Sequence, residues 1–388
     1  MDADRLFRYF NLLKSGKFGF GLRLGAIINY LKAHFGFLGD TLGNSVILEP
    51  LQHIGQLKND HSGNRGMPVI YPPLVSLIVS KRCNLKCSFC IFGGSDTTGS
   101  EGDLTLPALQ KILSLDLVKK TLLFVISGGE PCLNKDLPQI VRTLRKAKYL
   151  VGMITNGCLL EQGLARDLSA HRGEGISDVQ VSVYDNTKEK LSFILPQASK
   201  FFPINASFVL TKTKLIEAAK NNFADLIDII KMCRESGCLS LKFNLCSADI
   251  ISNDDSETIK KDDDLVYSQL IDECKSKIKG ICFSGYKAAP KMFSKFSVFF
   301  PAPFGFSAQR KCAQPWQLTI DGDGNTVICC KFQPFLKEKL CRNVFVEGSK
   351  IVNCKKSRAI RNSFLNSALP LEKECVNCAY MNSYGASI

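Results

Sequence analysis

The sequence predicts an α/β protein: a partial (βα)6 TIM-like barrel with a helical N-terminal extension and a small C-terminal unit of β-hairpin and helix. Three observations carry this. From Tyr71 onward, short β-branched runs alternate six times with longer helical stretches, the signature of parallel βα units. Six units suit an open or partial barrel better than a closed eightfold one. The chain has 388 residues, 45% of them hydrophobic and 22% charged, enough to bury a large core, which excludes disordered and collagen-like classes.

Residues 1–70 read as an irregular, glycine-interrupted helical extension, with Arg5, Arg8, Lys14, Lys17, Arg23 and Lys32 spread among Leu, Phe and Ile. Two roles are open for it: a helical layer packed on the barrel, or a basic amphipathic surface touching a membrane or a partner. Its most apolar stretch, 18–38, is interrupted by Arg23, Lys32, His34 and several glycines, so it falls short of a membrane span. The barrel occupies 71–250, with strands expected at 74–79, 122–127, 149–155, 178–184, 204–211 and 240–247. Helices are expected near 105–119, 136–148, 161–171, 188–200 and 216–236. Residues 251–304 read as a connecting segment that opens on an acidic, polar stretch. Residues 291–310 are rich in phenylalanine but broken by Pro301 and Pro303, which predicts a long packed loop. The last unit, 305–388, contains WQLTIDGDGNTVICC (316–330), two short strands around a Gly-Asp turn, then a basic helix and a terminal Cys pair.

The net charge of +14 comes with no basic run interleaved with aromatics and no recognisable nucleic-acid module, so nucleic acid is not an expected partner. An anionic substrate, a peptide or a lipid surface explains the charge equally. The 17 cysteines are an odd number in a chain with no secretory signal at its start, which predicts a soluble protein of a reducing, cytoplasmic compartment.

Directly after the first strand stands RCNLKCSFC, with Cys83, Cys87 and Cys90 on one loop. Three thiolates can hold three irons of a [4Fe–4S] cube and leave the fourth open to a cofactor. A structural zinc site would want four Cys or His ligands, and no fourth is near in sequence. The second strand ends in SGGEP (127–131), the third in ITNG (154–157) and the fourth in VSVYD (181–185), all on the carboxyl rim where βα barrels build their sites. Glycines permit close backbone approach, and Glu130 offers an acceptor to an ammonium.

This ordered set resembles the radical S-adenosylmethionine superfamily. Cys83, Cys87, Phe89 and Cys90 match its Cys-x-x-x-Cys-x-aromatic-Cys motif, and Gly128, Gly129, Glu130 and Pro131 match its glycine-rich turn, which receives the methionine amino group. The resemblance also implies that Ser182, and less directly Thr155 and Asn156, contact the cofactor. It implies one-electron reduction of S-adenosylmethionine to methionine and a 5′-deoxyadenosyl radical that abstracts a substrate hydrogen atom, with electrons from a flavodoxin- or ferredoxin-type donor.

Cys312, Cys330, Cys375 and Cys378 resemble the ligand set of a twitch domain, the shorter relative of the SPASM domain. This implies one auxiliary iron–sulfur cluster, of the [4Fe–4S] kind, saturated by four thiolates and serving as an electron conduit or staple. Cys329 and Cys330 are adjacent; Cys330 matches the family's hairpin phase, and a zinc staple is the competing reading. Of the other cysteines, Cys246 ends the sixth strand and is a candidate hydrogen-atom donor of the kind radical epimerases use.

The implied outcome is oxidation or epimerisation of a small polar, sugar- or cyclitol-like substrate. The alternatives are maturation of a ribosomally made peptide, a methyltransferase of the same superfamily and a non-catalytic iron–sulfur electron carrier. A methyltransferase would usually need added barrel cysteines or a cobalamin module, and neither is recognisable.

Overall fold

The computed structural model describes residues 72, 74–87, 89–90, 102–119, 121, 123–169, 175–246, 256–285, 296–301, 317–327, 342–348 and 351. Its centre is an open, mostly parallel sheet in a partial TIM-like barrel. The strands are β1 (Leu74–Ser80), β2 (Leu123–Gly128), β3 (Leu150–Thr155), β4 (Asp178–Val183), β5 (Ile204–Leu210) and β6 (Ser240–Leu245), each paired in parallel with the next. The helices between them are α1 (Leu106–Ser114), α2 (Leu137–Lys146), α3 (Gln162–Ser169), α4 (Lys188–Ala198), α5 (Lys212–Ala219) and α6 (Ala224–Glu235).

Strand alternation decides the two faces. Val75, Leu77 and Val79 of β1 and Leu241 and Phe243 of β6 are wholly buried in the core that includes the helices. Ser76, Lys242 and Asn244, at alternate positions, are half-buried on the opposite face. That face is polar: Ser76 and Ser127 share a hydrogen bond of 3.0 Å, Gln180 donates to Ser207 at 3.2 Å, and Ser240 donates to Asn205 at 2.7 Å. Helix starts follow local chemistry. Thr105 caps α1 by accepting from the Ala108 N–H, and Thr211 caps α5 by accepting from the Lys214 N–H.

Three expectations are corrected. The single helix expected over 216–236 is two helices, because the chain turns through Asn222 and Phe223 in the left-handed region (φ 54° and 59°). Asn221 accepts from the Ala224 N–H and donates to Asp225, and the Phe223 side chain is buried, so packing of the ring supports a conformation its type disfavours. The 251–304 segment, read as a connection, holds α7 (Asp264–Lys277) and two strands, β7 (Cys282–Gly285) and β8 (Ser297–Phe300). β8 lies within the stretch expected to be a loop: Val298 and Phe300 are wholly buried, Phe300 stacks on Phe243 at 5.0 Å, and the strand ends before Pro301.

The sheet therefore continues past β6 through β8 and β7. At its other edge it takes up the expected C-terminal hairpin, β9 (Gln317–Asp321) and β10 (Asn325–Val327), followed by β11 (Arg342–Asn343) and the short α8 (Val344–Glu347). Asp321 builds the hairpin turn by accepting from the N–H groups of Asp323 and Asn325. β9 pairs in parallel with β1, so the hairpin continues the barrel sheet. Lys81, just past β1, reaches this turn with Nζ 2.7 Å from Asp323 and 3.3 Å from Asp321. Burial alone would lower the Lys81 pKa; the two carboxylates outweigh it and hold the ammonium above its ordinary value.

Candidate radical-chemistry site

The cysteine loop leaves β1 at the carboxyl rim and is tied down at its first residues. The Gly129 N–H donates to the Ser80 carbonyl at 2.8 Å, and the Glu130 N–H donates to the Arg82 carbonyl at 2.7 Å. These bonds need glycine. A Cβ on Gly128, whose φ is +141°, would lie 2.2 Å from the Ser80 oxygen, and one on Gly129 would lie 2.1 Å from the Arg82 oxygen. The close approach that these glycines permit in the structure is that of the cysteine-loop backbone. Arg82 adds a largely buried ion pair to Asp103 at 2.5 Å and donates to the Leu133 carbonyl at 2.8 Å.

Past this clamp, Cys83, Cys87 and Cys90 are half-buried, with the Cys90 N–H donating to the Cys87 carbonyl at 3.1 Å. Burial pushes the Cys83 and Cys87 thiols up, and their neighbours Cys90 and, for Cys83, Glu130 push in the same direction. Cluster assembly must displace these protons. Because the pKa values are raised above the thiol reference of 9.0, the thiolate fraction at neutral pH is small and grows with pH. Iron and sulfide uptake by the apoprotein is therefore expected to quicken from pH 7 to pH 9, as measured by the growth of charge-transfer absorbance.

Glu130 is wholly buried and its carboxylate is committed within the protein. Oε1 accepts from the Cys132 N–H at 3.0 Å and the Thr155 hydroxyl at 2.6 Å, and Oε2 accepts from the Asn156 N–H at 2.8 Å. It joins the glycine-rich turn after β2 to the TNG turn after β3. Glu130→Gln would set an amide NH2 against one of these donors. It should lower stability by about 2–3 kcal/mol, read as a drop in urea midpoint with unchanged m-value.

The other expected residues meet at the same rim. Phe89 packs on Tyr184, ring centroids 5.7 Å apart, and Pro131 is buried in the turn of 131–133. Tyr184 stands next to Cys87 and Ser182; burial, then the Cys87 charge, pushes its phenol well up, so it stays a hydrogen-bond donor. Register places Ser182 beside Ser207, Ser207 beside Lys242 and Lys242 beside Phe299, one level of the polar face. Lys242 lies over the Phe299 ring at 5.2 Å. Tyr184, Ser207 and Lys242 were not singled out from sequence; the alternation of LKFNL (241–245) is the signal that puts Lys242 on this face. Cys246 follows β6, which β2 to β5 separate from β1 in the sheet, and its N–H donates to the Leu210 carbonyl at 2.9 Å. Cys312, Cys329, Cys330, Cys375 and Cys378 lie outside the described residues.

The donor set fits an iron–sulfur cube in its chemistry: three half-buried thiols on one loop whose entry is held by backbone hydrogen bonds. Among the described residues, no group of three or more His, Cys, Asp or Glu side chains is gathered as a single metal ion would require. A cube takes its ligands at separate corners.

Residues 77–251 match the family model described as "Radical SAM superfamily", whose members use a [4Fe–4S] cluster and S-adenosylmethionine. The chain is similar to a probable GTP 3′,8-cyclase of Metallosphaera sedula, 30% identical over 154 residues, 36% of this chain and 47% of the relative. It is also similar to one of Archaeoglobus fulgidus, 36% identical over 121 residues, 30% of this chain and 38% of the relative. It thus spans less than half the length of these curated relatives. In fold it is similar to SuiB of Streptococcus suis, solved bound to the precursor peptide SuiA. That likeness has a TM-score of 0.56 and 13% identity over 88% of this chain and 76% of that one. Residues 77–251 of this chain belong to the radical SAM superfamily.

Proposed function

We propose that the protein cleaves S-adenosylmethionine reductively and uses the product to abstract a hydrogen atom from a small polar substrate, leading to its oxidation or epimerisation. The observation that carries this is the assembly at one rim of the three-thiol loop, the glycine-rich turn locked to it, and the turns bearing Asn156 and Ser182. Cys83, Cys87 and Cys90 would hold the cluster, which would supply the one electron that splits S-adenosylmethionine into methionine and the hydrogen-abstracting 5′-deoxyadenosyl radical.

The chain's own residues do the positioning. Gly128 and Gly129 hold the loop, Phe89 and Tyr184 wall it, and Ser182 offers a hydroxyl to the cofactor. The polar face with Gln180, Asn205, Ser207, Lys242 and Asn244 supports a hydroxylated or anionic substrate over an apolar one. Cys312, Cys330, Cys375 and Cys378 are proposed to hold the auxiliary cluster, which would accept the surplus electron in an oxidation. Cys246 is the proposed hydrogen donor in an epimerisation.

A screen of perdeuterated sugars and cyclitols against perdeuterated peptides, read as deuterium in 5′-deoxyadenosine, tests the substrate class. Transfer from the polyols is expected. Transfer from peptides alone would replace this reading with that of a peptide maturase.

A further inference from the structure

We propose that Asn156 is the positioning residue of the cysteine loop, its side-chain amide orienting Cys83 and lending an N–H to the sulfur. The inference rests on Cys83, Cys87 and Cys90 holding the cluster as proposed above. Asn156 is 6% exposed and links its own turn after β3 to the glycine-rich turn and to the cysteine loop. Its backbone N–H donates to Glu130 Oε2 at 2.8 Å, and its Oδ1 accepts the Cys158 N–H at 3.0 Å. Its Nδ2 donates to Asn84 Oδ1 at 2.8 Å and lies 4.0 Å from Cys83 Sγ, the outer limit of an N–H···S contact.

The orientation of the amide is determined by its partners. Cys158 presents a backbone donor, which only Oδ1 can meet, so the NH2 end must face Asn84 and Cys83. Glu130 fixes the backbone that carries it, and the same carboxylate receives the Thr155 hydroxyl. The cysteine loop is thus gripped from two sides, by backbone bonds to the glycine-rich turn at Ser80 and Arg82 and by the Asn156 amide at Asn84 and Cys83.

An N–H directed at a ligating thiolate stabilises the electron-rich reduced cluster and so raises its potential. Asn156→Asp keeps the size and the acceptor for Cys158 but turns a carboxylate toward the sulfur; Asn156→Ala removes the donor together with the acceptor for Cys158. The full-length protein and both variants, reconstituted anaerobically to equal iron and sulfide, would be titrated potentiometrically with detection of the reduced cluster by EPR. The expected result for Asn156→Asp is about tenfold less reduced cluster at a fixed solution potential, ~59 mV for a one-electron couple. A smaller shift in the same direction is expected for Asn156→Ala.

Asn84 is exposed, and Asn84→Ala removes the partner that holds Nδ2 in place, so it should move the potential the same way by less. Unaltered potentials in iron-replete variants would overturn the inference. An unaltered potential in Asn84→Ala overturns it even if the Asn156 variants take up no iron. If the unsubstituted protein holds no reducible cluster, the functional reading of the loop fails at that earlier step.

Discussion

Alanine in place of Cys83, Cys87 or Cys90 is expected to reduce 5′-deoxyadenosine formation by at least about 100-fold, the upper range already seen when only the outer partners of metal ligands are removed. The three thiols sit on one loop with no fourth motif cysteine in it, so loss of any one leaves a cube with two protein-held corners. The backbone should survive the change. The backbone bonds that anchor the loop join Ser80 to Gly129 and Arg82 to Glu130 without a cysteine side chain, the Cys83 sulfur, a weak acceptor, meets the Leu85 N–H and the Asn156 amide only at 3.4 and 4.0 Å, and the thiols are half-buried. The variants should therefore keep their thermal unfolding midpoint in the iron-free state while losing reconstituted iron and cofactor cleavage together. Full cleavage activity in any of the three would remove that residue from the ligand set.

Gly129→Ala is expected to have the largest effect on folding of any single methyl addition at the rim. Its Cβ would stand 2.1 Å from the Arg82 carbonyl oxygen and 2.6 Å from the Arg82 carbonyl carbon. Both are backbone atoms, so no side-chain rotation relieves the clash and the two strand ends must separate. Separation breaks the Gly129–Ser80 and Glu130–Arg82 hydrogen bonds, each contributing about 1 kcal/mol, and disturbs the Glu130 carboxylate with its three donors. A loss of roughly 4 kcal/mol is expected, at the level where a single substitution marks a specific structural fault. Gly163→Ala is the control: nothing lies within 4 Å of a Cβ there, it falls near the start of α3, and the change should be neutral or slightly stabilising. Equal urea midpoints for the two variants would contradict the close approach.

The six strands from β1 to β6 were legible because their alternation and length are local properties, and observed bounds differ from expected ones by a residue or two. Long-range pairing was not legible. Nothing in QLTID (317–321) announces that it lies beside β1, and SVFF (297–300) is too short to separate from its proline-bounded surroundings until Phe243 supplies a stacking partner. The break between α5 and α6 needed the burial of Phe223, a tertiary effect that overrides local preference.

At the site, the motif residues could be found by spacing, yet their contacts could not. Glu130 is readable as an acceptor, but spacing does not say that its oxygens meet the Cys132 and Asn156 N–H groups and the Thr155 hydroxyl. Gly128 and Gly129 are readable as sites of close backbone approach, but spacing does not say that their Cβ sides face the Ser80 and Arg82 carbonyls. Which residues gather was visible in the sequence; which of them face one another depends on side-chain directions that only the packed rim defines.

The measurement that bears most directly on the central claim is product analysis of the anaerobically reconstituted, reduced protein incubated with S-adenosylmethionine. 5′-Deoxyadenosine and methionine are expected in equal amounts, dependent on reductant and absent from the Cys83→Ala protein. No 5′-deoxyadenosine from protein of full iron and sulfide content, with or without candidate substrates, would contradict the account.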